Sequence, residues 1–201
     1  KIALSGACML DISDKYKYKI LVVGGSAGSF PIVSKLLEQL PQNYRLPVEM
    51  CLHRLKDKRE GFKEALEIKS VLPVEEPNDK DLINPGMVYI APANYHLLVE
   101  TPERFSLATT ELVQYSRPSI DVLFESAADV FATQTVCLLL SGANRDGALG
   151  MLRVKNKGGL TVVHNPAECS MSTMPQAAVD LMAAELILSL DEIHRLLKAL
   201  H

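Results

Sequence analysis

The sequence predicts an α/β fold: a doubly wound, mainly parallel sheet flanked by helices, with an antiparallel hairpin excursion. Three observations carry this expectation. Short, continuous apolar runs, the mark of strands buried on both faces, alternate with segments of helical period almost to the end of the chain. That alternation implies crossover connections between parallel strands. At 201 residues, with 48% hydrophobic and 22% charged residues, the chain can bury one core and is not a disordered segment. With no internal repeat or linker, it reads as one domain over 19–201 behind an N-terminal extension, 1–18.

The elements follow in order. Ile20-Leu21-Val22-Val23, ending in Gly24-Gly25, is a buried strand. The next helix has Pro31 in its first turn and Ile32, Val33, Leu36, Leu37 and Leu40 on one face. Val48 to Leu52 is a second strand, Lys56 to Ile68 a second helix, and Val71 to Val74 a short third strand. Pro85-Gly86 then breaks the rhythm. Met87 to Ile90, Leu97 to Val99 and Phe105 to Leu107 follow without a helix-length separation, which predicts the antiparallel excursion. Alternation resumes with a helix over Ser119 to Phe131, a strand over Val136 to Leu140 and a helix from Gly147 to Lys157 closed by Gly158-Gly159. A strand over Leu160 to Val163, a helix over Pro175 to Ala183 and a strand over Leu186 to Leu188 complete the pattern. Ser189 and Glu192 stand at capping-box spacing before a last helix.

A net charge of −3 gives no basic surface for nucleic acid. No apolar run reaches the roughly 20 residues that span a bilayer. Lys1 to Leu10 resembles a secretory h-region only superficially, being short and running into Asp11, Ser13 and Asp14. Cys8, Cys51, Cys137 and Cys169 have no paired spacing, which fits reduced thiols in a cytoplasmic protein and neither a disulfide framework nor a zinc site.

In open α/β sheets, functional groups gather at the carboxyl ends of strands. Three such ends carry Ser26, His53 and Asp146. Gly24-Gly25-Ser26-Ala27-Gly28 matches G-x-S-x-G between strand and helix, where small neighbours allow a sharp turn and backbone N–H groups face a developing oxyanion. The same loop also reads as a packing turn or a phosphate cradle. A dinucleotide site is less well matched: Ser26 and Ser29 occupy glycine positions of the fingerprint, and Glu49 lies inside a strand. His53 and His164 both end strands and are rival bases; His194, on a helix, and the terminal His201 read as solvated. Asp146 either caps the helix at Gly147 or orients the base, and the two roles are compatible. The order Ser26, His53, Asp146 differs from the Ser-Asp-His order of α/β-hydrolases.

Together with Pro85-Gly86-Met87-Val88-Tyr89-Ile90-Ala91-Pro92, Ser116 to Phe124, Ser141 to Gly150 and Met174 to Ala178, these residues resemble the catalytic domain of the chemotaxis protein-glutamate methylesterases (CheB-type) from Lys19 to about Leu190. The resemblance implies a Ser26–His53–Asp146 triad, an oxyanion donor at Ala27 and hydrolysis of glutamyl methyl esters on chemoreceptor helices. Glutamine deamidation is a companion activity, and no metal or nucleotide cofactor is implied. Arg54 and Arg145, next to the base and the aspartate, are candidates for a rim that holds the new carboxylate. Family members usually carry an N-terminal receiver domain, for which the eighteen residues of the N-terminal extension are too few. A receiver or other signalling domain is therefore an expected partner, in trans or in a longer chain. The alternatives are a catalytically weak or inactive protein-binding relative and a nucleotide-binding Rossmann-like domain. The sequence departs from the family pattern at Ser29, at Leu52-His53-Arg54 for Gln-His-Met, and at Gly142-Ala143-Asn144 for Gly-Met-Gly.

Overall fold

The structure, a computed structural model, describes residues 2–3, 9–10, 17–53 and 61–200. Two short strands, β1 (Ile2–Ala3) and β2 (Met9–Leu10), pair antiparallel. The body is a seven-stranded sheet in the order β11-β10-β9-β3-β4-β6-β5. Its strands are β3 (Ile20–Gly25), β4 (Val48–Leu52), β5 (Val74–Glu75), β6 (Val88–Ile90), β9 (Thr135–Leu139), β10 (Leu160–His164) and β11 (Leu186–Leu188), and every pairing is parallel. A separate antiparallel hairpin joins β7 (His96–Thr101) to β8 (Arg104–Ala108).

Among the described residues, six helices cover the two faces: α1 (Phe30–Glu38), α2 (Phe62–Glu67), α3 (Ile120–Phe131), α4 (Ala148–Asn156), α5 (Thr173–Asp180) and α6 (Leu190–Ala199). Alternation within the central strand assigns the layers. Leu21 and Val23 point to the core under α1, α2 and α6, with Leu36, Leu66 and Leu196. Ile20 and Val22 point to the core under α3, α4 and α5, with Phe124, Met151 and Ala178. The hairpin joins the second core through Leu97, Val99 and Phe105. β3 is followed by a helix on one face and its neighbour β9 by a helix on the other. The crevice between them is the topological switch point, where such sheets place their sites.

The expected fold is therefore observed, with local differences. β6 belongs to the parallel sheet, between β4 and β5, and only β7 and β8 form the excursion. A parallel crossover needs length rather than a helix, and residues 76–87 supply it as loop. β5 lies at Val74–Glu75, later than Val71 to Val74. The described part of the second helix is Phe62–Glu67, and Lys56 to Glu60 lie outside the described residues. α5 starts and ends earlier than Pro175 to Ala183; Met182 takes a left-handed φ of 52° and turns the chain out of the helix. The Ser189–Glu192 capping box is present. His194 is buried, not solvated: α6 presses it against the carbonyl of Lys35 on α1, 3.3 Å from Nε2. His201 lies outside the described residues. No helix among the described residues is long and apolar enough to cross a membrane.

Candidate active site

Gly25 and Leu52 are register partners at the ends of β3 and β4, so the next residues, Ser26 and His53, leave the sheet side by side. Neighbouring strands lie about 4.8 Å apart, which puts both side chains at one edge. The backbone fixes them further. The His53 N–H donates to Gly25 O at 3.0 Å, and the Ser26 N–H donates to Ser141 O at 2.9 Å. The Ser26 carbonyl accepts from the Ser29 N–H at 3.0 Å and from Ser29 Oγ at 2.7 Å. Ser29, a departure from the family pattern, is thus buried and bonded beneath the turn.

The sharp reversal is made by Gly28, at φ +81°, whose absent Cβ leaves room for Ser170 Oγ. Ser26 is half-buried and Ala27 exposed. The Ala27 carbonyl accepts from Ser141 Oγ at 2.8 Å, and the Met171 N–H donates to the same hydroxyl at 3.1 Å. One buried serine at the end of β9 thereby ties the Ser26 turn to the loop before α5.

Asp146, fully buried, reaches His53 from the loop after β9. Its Oδ2 lies 2.8 Å from His53 Nε2. It does not cap α4. Its oxygens instead accept from the start of α3: Ser119 Oγ to Oδ1 at 2.8 Å, the Asp121 N–H to Oδ1 at 2.9 Å and the Ile120 N–H to Oδ2 at 2.8 Å. Burial alone would raise the Asp146 pKa. The hydrogen bonds from His53 and from the Asp121 and Ile120 amides outweigh it and hold the carboxyl below its ordinary range. The reciprocal cap comes from Asp121, whose Oδ1 accepts from the Gly147 and Gly150 N–H groups at 2.9 and 2.7 Å. Burial pushes Asp121 up to about 6, the two amides pull it down, and nearby Asp146 adds to the rise. The helices approach closely at this cap: a Cβ on Gly147 would meet Ile120 Cγ2 and Leu139 Cδ1, each at 2.7 Å.

With Nε2 engaged by a carboxylate, Nδ1 is the His53 nitrogen available to a serine. Asn144 Oδ1 accepts the Asp146 N–H at 3.2 Å, which turns Asn144 Nδ2 toward that Nδ1, 3.5 Å away.

The rival base is elsewhere. His164 is buried with Nδ1 3.2 Å from Cys169 Sγ and Nε2 3.6 Å from Glu168, and burial, its largest influence, holds its pKa down. Glu49 is sealed in mid-strand, where no ribose can reach it. Arg145 is exposed on a groove of about 260 Å³ with Leu149, Asp180 and Leu181; Arg54 lies outside the described residues. Sequence reasoning did not assign Ser119 or the amides of Ile120 and Asp121 to the site. The available signal was Ser119 at a predicted helix start; nothing local shows that a distant aspartate shares that cap.

The CheB methylesterase family model matches residues 21–197. The chain belongs to the CheB methylesterase family. A putative protein-glutamate methylesterase/protein-glutamine glutaminase of Leptospira interrogans is 38% identical over 180 residues, covering 89% of this chain and 93% of that protein. The protein-glutamate methylesterase FrzG of Myxococcus xanthus is 32% identical over 176 residues, covering 88% of this chain and 53% of FrzG, so the family domain is about half of that relative. The crystal structure of the Thermotoga maritima CheB methylesterase catalytic domain matches with a TM-score of 0.86 at 27% identity, covering 92% of this chain and 99% of that one. The family's sheet and hairpin excursion are those described above.

Proposed function

We propose that this chain hydrolyses glutamate γ-methyl esters on chemoreceptor helices in the cytoplasm, releasing methanol, with Ser26 as nucleophile, His53 as base and Asp146 as its orienter. The observation that carries the reading is the 2.8 Å contact between His53 Nε2 and the buried carboxylate of Asp146, on a ring whose strand end adjoins that of Ser26.

Ser26 Oγ attacks the ester carbonyl and its proton passes to His53 Nδ1. Asp146, ionised by its hydrogen bonds, holds the Nε2 proton and stabilises the imidazolium. The Ala27 N–H, at the start of the turn into α1, faces the oxyanion. Collapse expels methoxide, which takes the His53 proton and leaves as methanol, with the glutamyl group on Ser26. Water then attacks that ester, gives a proton to His53, and the serine leaves with it, freeing a glutamate carboxylate. The same steps on glutamine release ammonia. None of these steps draws on a metal or nucleotide. Arg145 beside Asp146, and Arg54 beside His53 in the sequence, favour a helix that carries the new charge. A receiver or other signalling domain regulates access.

The test is methanol release from methylated receptor fragments by the purified chain without added metal or nucleotide. Turnover by wild type and its loss by about three orders of magnitude or more in Ser26→Ala are expected. Binding of the fragments without methanol release would instead favour a protein-binding role.

A further inference from the structure

We propose that His96 is a positioning residue for this hydrolysis, holding the cap of α3 so that Ser119 and the first helical amides stay aimed at Asp146. The proposal rests on the esterase reading above.

His96 opens β7, in the hairpin outside the main sheet, and is fully buried. Its Nδ1 lies 3.2 Å from the backbone nitrogen of Ser119, and its Nε2 lies 2.9 Å from Glu111 O. A backbone N–H can only donate, so Nδ1 is bare, and the ring proton is on Nε2, donated to the Glu111 carbonyl. The two partners therefore select one neutral tautomer of His96. Ser119 is the N-cap of α3, and its hydroxyl donates to Asp146 Oδ1 at 2.8 Å. The chain of contacts runs from Glu111 through His96 and Ser119 to Asp146 and ends on His53. Few other placements of a histidine would bear on the carboxylate in this way, because the bond falls on the residue whose own side chain grips it.

The same hairpin is tied to α3 at a second place. The Val99 N–H donates to Ser126 Oγ at 3.1 Å, two turns along the helix and away from the cap. This supplies a structural control: losing that tie loosens the hairpin without moving the cap.

The experiment compares kcat and KM for methanol release by His96→Leu, His96→Asn and Ser126→Ala, together with the proton resonance of the His53 Nε2–H bonded to Asp146. His96→Leu should lower kcat by about tenfold or more with KM within about twofold, and shift or broaden that resonance. His96→Asn, whose carbonyl can replace Nδ1 as acceptor, should restore most of the loss. Ser126→Ala should keep the wild-type kcat. If His96→Leu does not fold, His96→Gln, whose amide takes the place of Nε2 against Glu111 O but leaves the Nδ1 position facing the Ser119 N–H empty, is read in its place. Wild-type kcat and resonance in His96→Leu, or equal impairment of the Leu and Asn variants, would overturn the proposal, as would an equal loss in Ser126→Ala. Ser26→Ala run alongside separates the two readings. If it is inert while His96→Leu is unimpaired, only the positioning role fails. If it turns over like wild type, the esterase mechanism itself fails.

Discussion

Asp146 accepts from the His53 ring, a hydroxyl and two helix amides, and this donor set decides what a single-atom change does. Asp146→Asn replaces one acceptor oxygen by an NH₂ group among donors. Whichever oxygen is replaced, a donor faces a donor: either His53 and Ile120, or Ser119 and Asp121. The variant should therefore lose both function and stability. The expected fall in kcat is about 10³–10⁴, because the imidazole is no longer held with Nδ1 free and its charged form is unsupported. The expected loss of stability is about 2 kcal/mol, from buried donors left without acceptors. Methanol-release rates and urea denaturation read the two effects separately. A rate within tenfold of wild type would remove Asp146 from the mechanism. The local sequence, an aspartate before Gly147, leaves open whether it caps α4 or orients a base; the carboxylate caps the neighbouring helix and bonds the His53 ring.

At the scale of elements, α3 and α4 exchange carboxylates: Asp146, before α4, caps α3, and Asp121, in α3, caps α4. Each helix start offers unpaired amides and a positive dipole end, so a carboxylate there satisfies both. Asp121→Ala leaves the Gly147 and Gly150 amides buried and unpaired and should cost about 3 kcal/mol. Asp121→Asn keeps an acceptor and removes the repulsion from Asp146, so its cost should be below about 1 kcal/mol. Urea midpoints at constant m-value measure this, and equal losses in the two variants would contradict the exchange. Much of this layer was legible in the sequence. The apolar runs from Ile20, Val48, Val136 and Leu160 read as buried strands, and Ser26, His53 and Asp146 follow three of them. The place of β6 was not legible, because three apolar residues after Pro85-Gly86 look alike whether they extend a parallel sheet or start a hairpin. The exchange of caps was hidden for a different reason. It joins residues 25 apart through tertiary packing, and no periodicity encodes which helix a loop carboxylate will face.

At the scale of the molecule, the seven-stranded sheet is buried on both faces, and a carboxyl group is sealed inside it. Glu49, in the middle of β4, is fully buried, and neither carboxyl oxygen has a hydrogen-bond partner among the described residues. Burial pushes its pKa from 4.5 up to about 8. Between those values the folded protein keeps a proton that the unfolded chain has lost, so stability must fall as pH rises through this window. The full shift corresponds to about 5 kcal/mol, on the order of half the stability of an ordinary domain. Other shifted groups act lower. Asp121 is raised only to about 6, while His164 and His194, held neutral mainly by burial, have lowered values and act with the opposite sign. The slope between pH 6.5 and 8 therefore belongs chiefly to Glu49. Glu49→Met, which fills the same space without a charge, should flatten that slope and raise the urea midpoint most at pH 8. Midpoints measured at pH 5, 6.5 and 8 test this, and an unchanged slope in Glu49→Met would show that the carboxyl is not the titrating group.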